Sequence, residues 1–223
     1  MLTRADARSR GLWITSQQVS LTFFVHSPNP SDQGPGSNVK AMSTSEQSSA
    51  ESASPAADAA PVSDQLVEAN AAYADAFTDP GLTARPVRKV AILACMDARL
   101  DLHRALGLEL GDCHTLRNAG GVVTDDVIRS LTISQRALGT RSVFLIHHTT
   151  CGMESIDESF RTELEREVGQ RPQWAVEAWE DAEQDMRQSI ERVRTSPFLL
   201  YKDDVRGFIF DVATGRLREV KPA

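Results

Sequence analysis

Three cysteines in 223 residues are too few, and odd in number, for a disulfide framework, which fits a reducing, cytoplasmic setting. No stretch approaches the roughly eighteen consecutive apolar residues of a membrane span. The apolar stretch at residues 21–25 is too short for a signal-peptide core, and no cleavage pattern follows it. Basic excess is missing too. Lys and Arg number 24 against 31 Asp and Glu, a net charge of -7, and nucleic acid as the main partner calls for a basic face. Neither a Gly-x-Gly-x-x-Gly nor a P-loop follows the first apolar strand, which excludes the common nucleotide cradles. The phosphatase pattern of Cys followed six residues on by Arg also fails, because Asp101 and Asp157 stand at those places after Cys95 and Cys151. No internal repeat is visible.

What is present is an ordinary globular composition, 41% hydrophobic and 25% charged, sufficient for a sizeable core. It is unevenly spread. Residues 27–61 are dominated by Ser, Pro, Gly and Ala, with turn-forming runs such as Gly34-Pro35-Gly36. Such a segment cannot bury enough apolar surface to offset its ordering entropy. Residues 1–62 are therefore expected to be a disordered or mis-assigned N-terminal extension, and residues 63–223 a single domain. Met42 opens Ser43-Thr44-Ser45-Glu46 in the manner of a bacterial protein start, so residues 1–41 are expected to be an over-extended reading frame or a dispensable tail. An intact mass matching a start at Met1 would refute that. An organellar presequence is the alternative, supported by Arg4, Arg8 and Arg10 and opposed by Asp6.

Beyond residue 62 the pattern alternates. Helical spacing of Leu66, Ala69, Tyr73 and Phe77 predicts a helix over 63–77 with Ser63 as N-cap. Continuous apolar runs at 90–94 and 143–146 predict strands covered on both faces, and 113–116 a weaker one. Helices are expected over 100–106, ended by Gly107, and over 124–138, capped by Thr124 and stopped by Gly139. Further helices are expected at 156–168 and 175–193, then a strand at 205–212 turning at Thr214-Gly215 into 217–220. The expected fold class is α/β, a mostly parallel central sheet flanked by helices.

Two segments carry chemistry. Cys95-Met96-Asp97-Ala98-Arg99 and His148-Thr149-Thr150-Cys151 each directly follow a predicted buried strand, and ligands in open α/β sheets bind outside the carboxyl ends of strands. Two thiols and an imidazole suit a tetrahedral zinc site with one position left for water. Arg99 lies two residues beyond Asp97 and is placed to hold that carboxylate in an ion pair. Cys113 and His114 lack such a partner spacing and read as structural. His147 is turned the other way by strand alternation and reads as core. His103 reads as solvent-facing or capping, Trp174 and Trp179 as packing, and the acidic run 177–185 as a solvated helix face.

These segments, with Arg117-Asn118-Ala119-Gly120-Gly121 between them and Cys151-Gly152, resemble the β-class carbonic anhydrase family in order and spacing over about residues 87–220. The resemblance implies that Cys95, His148 and Cys151 bind Zn2+ and that Asp97 with Arg99 forms a catalytic dyad. It implies reversible hydration of CO2 to bicarbonate and a proton by zinc-bound hydroxide, which that dyad orients. It further implies a homodimer or tetramer and a place for the 117–121 loop beside the metal. One position departs from the pattern: Thr150 stands where family members often carry an acidic residue, and a modest influence on the site is expected from it. Released from Arg99, Asp97 could itself become the fourth ligand. Hydrolysis of a CO2 analogue, carbonyl sulfide or carbon disulfide, uses the same ligands and stays open. The non-enzyme alternative is a zinc or bicarbonate-sensing protein with Asp97 permanently on the metal.

Overall fold

The computed structural model describes residues 60–78 and 81–222. The expectations for residues 1–41 and for nearly all of 1–62 fall outside them. The chain runs α1 (Val62–Ala76), β1 (Val90–Cys95), α2 (Leu102–Leu106), β2 (Cys113–Asn118), α3 (Asp125–Arg136), β3 (Ser142–His148), α4 (Ser159–Val168), α5 (Ala182–Thr195), β4 (Val205–Phe210) and β5 (Leu217–Val220). The five strands form one sheet in the order β2-β1-β3-β4-β5. All neighbours are parallel except β4 and β5, which make the antiparallel hairpin expected from Thr214-Gly215.

Apolar side chains cover both faces of the sheet, which is why β1 reads as an unbroken apolar run. On one face Ala91, Leu93, Val143, Leu145, Val205 and Ile209 meet Val127 and Leu131 of α3 and Met186, Ile190 and Val193 of α5. On the other, Ile92, Ala94, Ile146 and Phe210 meet Leu100, Leu102, Leu108, Met153 and Trp179. Helix α5 lies so close over β4 that a Cβ at Gly207 would collide with Met186 Sδ. Helix α3 starts at Thr124, whose hydroxyl accepts from Val127 N, and α2 stops at Gly107 in the left-handed conformation.

Most boundaries shift by a few residues, α4 starting at Ser159 instead of 156 and β4 ending at Phe210 instead of 212, and three differences have a plain physical reason. Helix α1 begins one residue early, after Pro61, and Ser63 lies inside its first turn with no side-chain cap formed. Strand β3 continues past Ile146 to His148, since a histidine buried at both 147 and 148 satisfies the ladder as well as an apolar residue does. Residues 175–181 are not helical. Glu177 takes a left-handed φ of 57°, and α5 begins only where the Asp181 carboxylate accepts from Glu183 N and Gln184 N. Helix α1 buries none of its residues. Among the described residues no helix is long and apolar enough to cross a membrane.

Candidate metal centre

The strand order reverses between β1 and β3, and in open α/β sheets ligands bind outside the carboxyl ends of the strands at such a switch point. Cys95 closes β1 and His148 closes β3, with Ala94 and Ile146 in register just before them. The chain then turns through Thr150, at φ 54°, and delivers Cys151 to the same place. The ligand atoms of Cys95, His148 and Cys151 all lie within 4.8 Å of one another, and the two sulfurs are 3.9 Å apart. All three residues are buried.

Each donor is prepared. His148 Nδ1 donates to the Thr149 carbonyl at 3.0 Å, which fixes the tautomer and leaves the Nε2 lone pair free. Among the described residues that Nε2 is buried without a hydrogen-bond partner, as are His147 Nδ1, Arg161 Nε and Trp179 Nε1, and it lies within 4.8 Å of both sulfurs. Burial alone would lower the His148 pKa, but the Cys95 thiolate beside it outweighs burial and raises it. The contact between the two sulfurs, with help from His148 and the backbone N–H groups of Asp97 and Gly120, lowers the Cys95 pKa against the effect of burial. The same contact, with burial, pushes Cys151 above the ordinary thiol range. Two sulfurs and one bare imidazole nitrogen on a rigid sheet end fit a divalent ion with affinity for soft donors, one coordination position being left over.

Asp97 lies beside this group. One carboxylate oxygen, Oδ2, is 3.8 Å from His148 Nε2. The other face of the carboxylate is gripped by Arg99, whose Nε donates to Oδ1 at 2.9 Å and Nη2 to Oδ2 at 2.8 Å, with the Arg99 backbone N–H also on Oδ1. This fork holds the Asp97 carboxyl well below the usual carboxylate range.

The loops are fixed by groups to which the sequence reading assigned no such task. Arg117, in register with Ala94, donates to the carbonyls of Cys95, Asp97 and Leu100 and so clamps the whole turn that carries Asp97 and Arg99. Asn118 closes the Ala119–Gly121 turn, its amide donating to Val122 O and its carbonyl accepting from Val122 N. Gly121 then lies against the backbones of β1 and β3: a Cβ there would be 2.7 Å from Cys95 N and 2.8 Å from Ile146 O. A buried column stands behind Cys95, His148 and Cys151. His147 points away from the centre, its Nε2 donating to Asp185 at 2.7 Å, and its ring stacks on Trp179 at 4.6 Å between centroids. Trp179 in turn abuts Gly120, where an added Cβ would collide with its ring. Thus Trp179 is packing, as read, while Asp185 belongs to no solvated face. Trp174 is about half exposed, and His103 is exposed on α2. His114 bridges Ser134 and the Ala84 carbonyl in a structural role.

Comparison with known proteins decides the family. The family model for carbonic anhydrase matches residues 90–196. β-Carbonic anhydrase 1 of Mycobacterium tuberculosis is 51% identical over 162 residues, covering 72% of this chain and 99% of that protein. The chain belongs to the β-carbonic anhydrase family. The solved carbonic anhydrase of Streptococcus mutans, 41% identical, superimposes with a TM-score of 0.68 over 73% of this chain and 99% of its own. A carbon disulfide hydrolase of Acidithiobacillus thiooxidans is also similar, at 32% identity over 59% of this chain and 76% of that protein. The family and the α/β fold with its mostly parallel sheet are therefore as the sequence implied.

Proposed function

We propose that this β-carbonic anhydrase family enzyme catalyses reversible hydration of CO2 to bicarbonate and a proton, with Cys95, His148 and Cys151 holding Zn2+ and with Asp97 and Arg99 as the catalytic dyad. The observation that carries the reading is the convergence of the buried His148 Nε2 with two thiol sulfurs 3.9 Å apart, beside a carboxylate restrained by Arg99. Bound there, zinc supplies a Lewis acid strong enough to make water nucleophilic near neutral pH, the role that zinc is known for in carbonic anhydrases.

The remaining work falls to the protein. Two thiolates and a neutral imidazole fix the position and charge of the centre. Asp97 stays ionised because Arg99 holds its proton affinity down, so it acts only as an acceptor. Asp97 would accept a hydrogen bond from a hydroxyl held beside it and so orient that group toward the CO2 carbon. The strand ends and the Gly120–Gly121 backbone keep these atoms from relaxing apart. The proton of the reaction passes to solvent.

Hydrolysis of carbon disulfide is the second reading, favoured by the relatives of that name at about one-third identity. Offering CO2 and carbon disulfide separately to one zinc-assayed preparation distinguishes them. Turnover of CO2 with little release of hydrogen sulfide supports the first reading, and the reverse result replaces it.

A homodimer, or a tetramer built from one, is part of the same proposal. Helix α1 leaves Val62, Leu66, Val67 and Tyr73 exposed, as is Phe77 just beyond it, and a helix of its length draws most of its stability from a buried stripe. A second copy would provide one. The three free thiols suit a reducing cytoplasm.

A further inference from the structure

Arg99 is held on two sides, and the second side is the ligand loop itself. Besides its fork on Asp97, its Nη1 donates to Thr150 Oγ1 at 3.3 Å and its Nη2 to the Thr150 carbonyl at 3.2 Å. Thr150 reaches it only because the residue takes a left-handed φ of 54°, which a β-branched side chain rarely adopts. The turn is pinned at both ends. Thr149 is tied to β4 and the residues after it, its N–H donating to Phe210 O and its hydroxyl accepting from Val212 N. The Cys151 carbonyl accepts from Glu154 N. Strain of this kind persists where the surroundings over-determine it and where the resulting geometry has a use.

We propose that Thr150 is a positioning residue: its strained turn presents a hydroxyl and a carbonyl to Arg99, keeping the guanidinium docked so that Asp97 stays turned away from the Cys95–His148–Cys151 group. The inference rests on the reading of that group as a metal centre with an Asp97–Arg99 dyad. The Arg99 side chain is half exposed, and an ion pair in that setting is weak and mobile by itself. Asp97 Oδ2 meanwhile has only a short way to move, being already 3.8 Å from His148 Nε2. Without the Thr150 anchor the guanidinium swings into solvent more often, and the freed carboxylate takes the open coordination position. Thr150 suits this task because it is neutral. It supports the guanidinium without competing with Asp97 as a second carboxylate would.

Glycine provides the clean test, because it is comfortable at positive φ and removes the hydroxyl without adding strain. Thr150→Ser keeps the hydroxyl. The proteins are loaded with Co2+ and titrated with thiocyanate, reading the visible cobalt spectrum as the anion takes the open position. The expected result is thiocyanate binding weakened by up to about five-fold in Thr150→Gly, the worth of one long, exposed hydrogen bond of ordinary strength, and binding within about two-fold of the parent in Thr150→Ser. Adding Asp97→Ala to Thr150→Gly should restore tight binding, since no carboxylate is then left to close the site. Parent-like affinity in Thr150→Gly overturns the proposal, as does a loss that Asp97→Ala fails to repair. A parent protein that takes up no metal would instead defeat the underlying reading of the centre.

Discussion

Substituting Gly121 by alanine tests how the ends of β1 and β3, which carry Cys95 and His148, are held together. Gly121 has φ 70° and lies where β1 and β3 end, and a Cβ added there would meet only backbone: Cys95 N at 2.7 Å, Ile146 O at 2.8 Å and Ala94 C at 2.9 Å. None of these atoms can rotate away, so the strand ends must part by several tenths of an ångström. The left-handed conformation costs an alanine about 1–2 kcal/mol. Overpacking against fixed atoms adds about 1–3 kcal/mol, for a total of about 2–5 kcal/mol. Gly139→Ala is the internal control. It has φ 83° but open space around the new Cβ, and should cost only the conformational part, about 1–2 kcal/mol. Urea unfolding of both variants gives the stabilities, and metal content after dialysis against a weak chelator gives the effect on the centre. Gly121→Ala should be the less stable by about 1–3 kcal/mol and should lose metal first, because Cys95 and the His148 strand move apart. Equal stabilities and equal metal retention would refute the packing argument.

Other consequences follow from the same geometry. Arg99→Ala should lower CO2 hydration by about 10²-fold or more with zinc content unchanged, measured by stopped-flow with a pH indicator; full activity across pH would remove the dyad from the mechanism. Arg117→Met leaves the carbonyls of Cys95, Asp97 and Leu100 without their donor and should destabilise by about 1–3 kcal/mol, with Arg117→Lys recovering only part, as read by denaturant unfolding. Trp179→Ala removes a buried ring from between His147 and Gly120 and should cost about 3–5 kcal/mol in the same assay. Glu219, paired with Arg206 and Lys221, has its pKa lowered to about 2. A lowered folded-state value means its contribution is complete above the unfolded carboxylate pKa near 4.5 and is lost as pH falls toward about 2. The stability gap between the parent and Glu219→Gln should therefore shrink between about pH 5 and about pH 3, and a pH-independent gap would contradict the assignment.

Much of this was legible in the residues because the informative features are local. The strand at 90–94 announces itself by an unbroken apolar run, and Thr124 and Gly107 mark helix ends by chemistry that acts within one turn. The Cys-x-Asp-x-Arg and His-x-x-Cys segments lie immediately after such runs, so the strand ends had to bring them near each other. What escaped the reading depends on contacts between distant segments. Nothing around Arg117 indicates that its guanidinium crosses to three carbonyls at the end of the neighbouring strand and in the loop that follows it. Asp185 looks like one more acid in a charged run, and only the docking of α5 brings it to the buried His147. The non-helical course of 175–181 is similar. Its composition permits a helix, but Trp179 is drawn into the core against His147 and Gly120, and the Asp181 cap then sets a later start. At Thr150 a residue outside any helix or strand adopts a conformation its own preference opposes, because the loop is fixed at both ends.

The most direct test of the central claim is stopped-flow CO2 hydration from about pH 7 to 9, the range around the expected acidity of zinc-bound water, on samples whose zinc content is varied and quantified. The account predicts activity that rises in proportion to bound zinc and saturates at one ion per chain, and that Cys151→Ser loses together with its zinc. Stoichiometric zinc without CO2 hydration at any pH in that range, or activity independent of zinc, would contradict it.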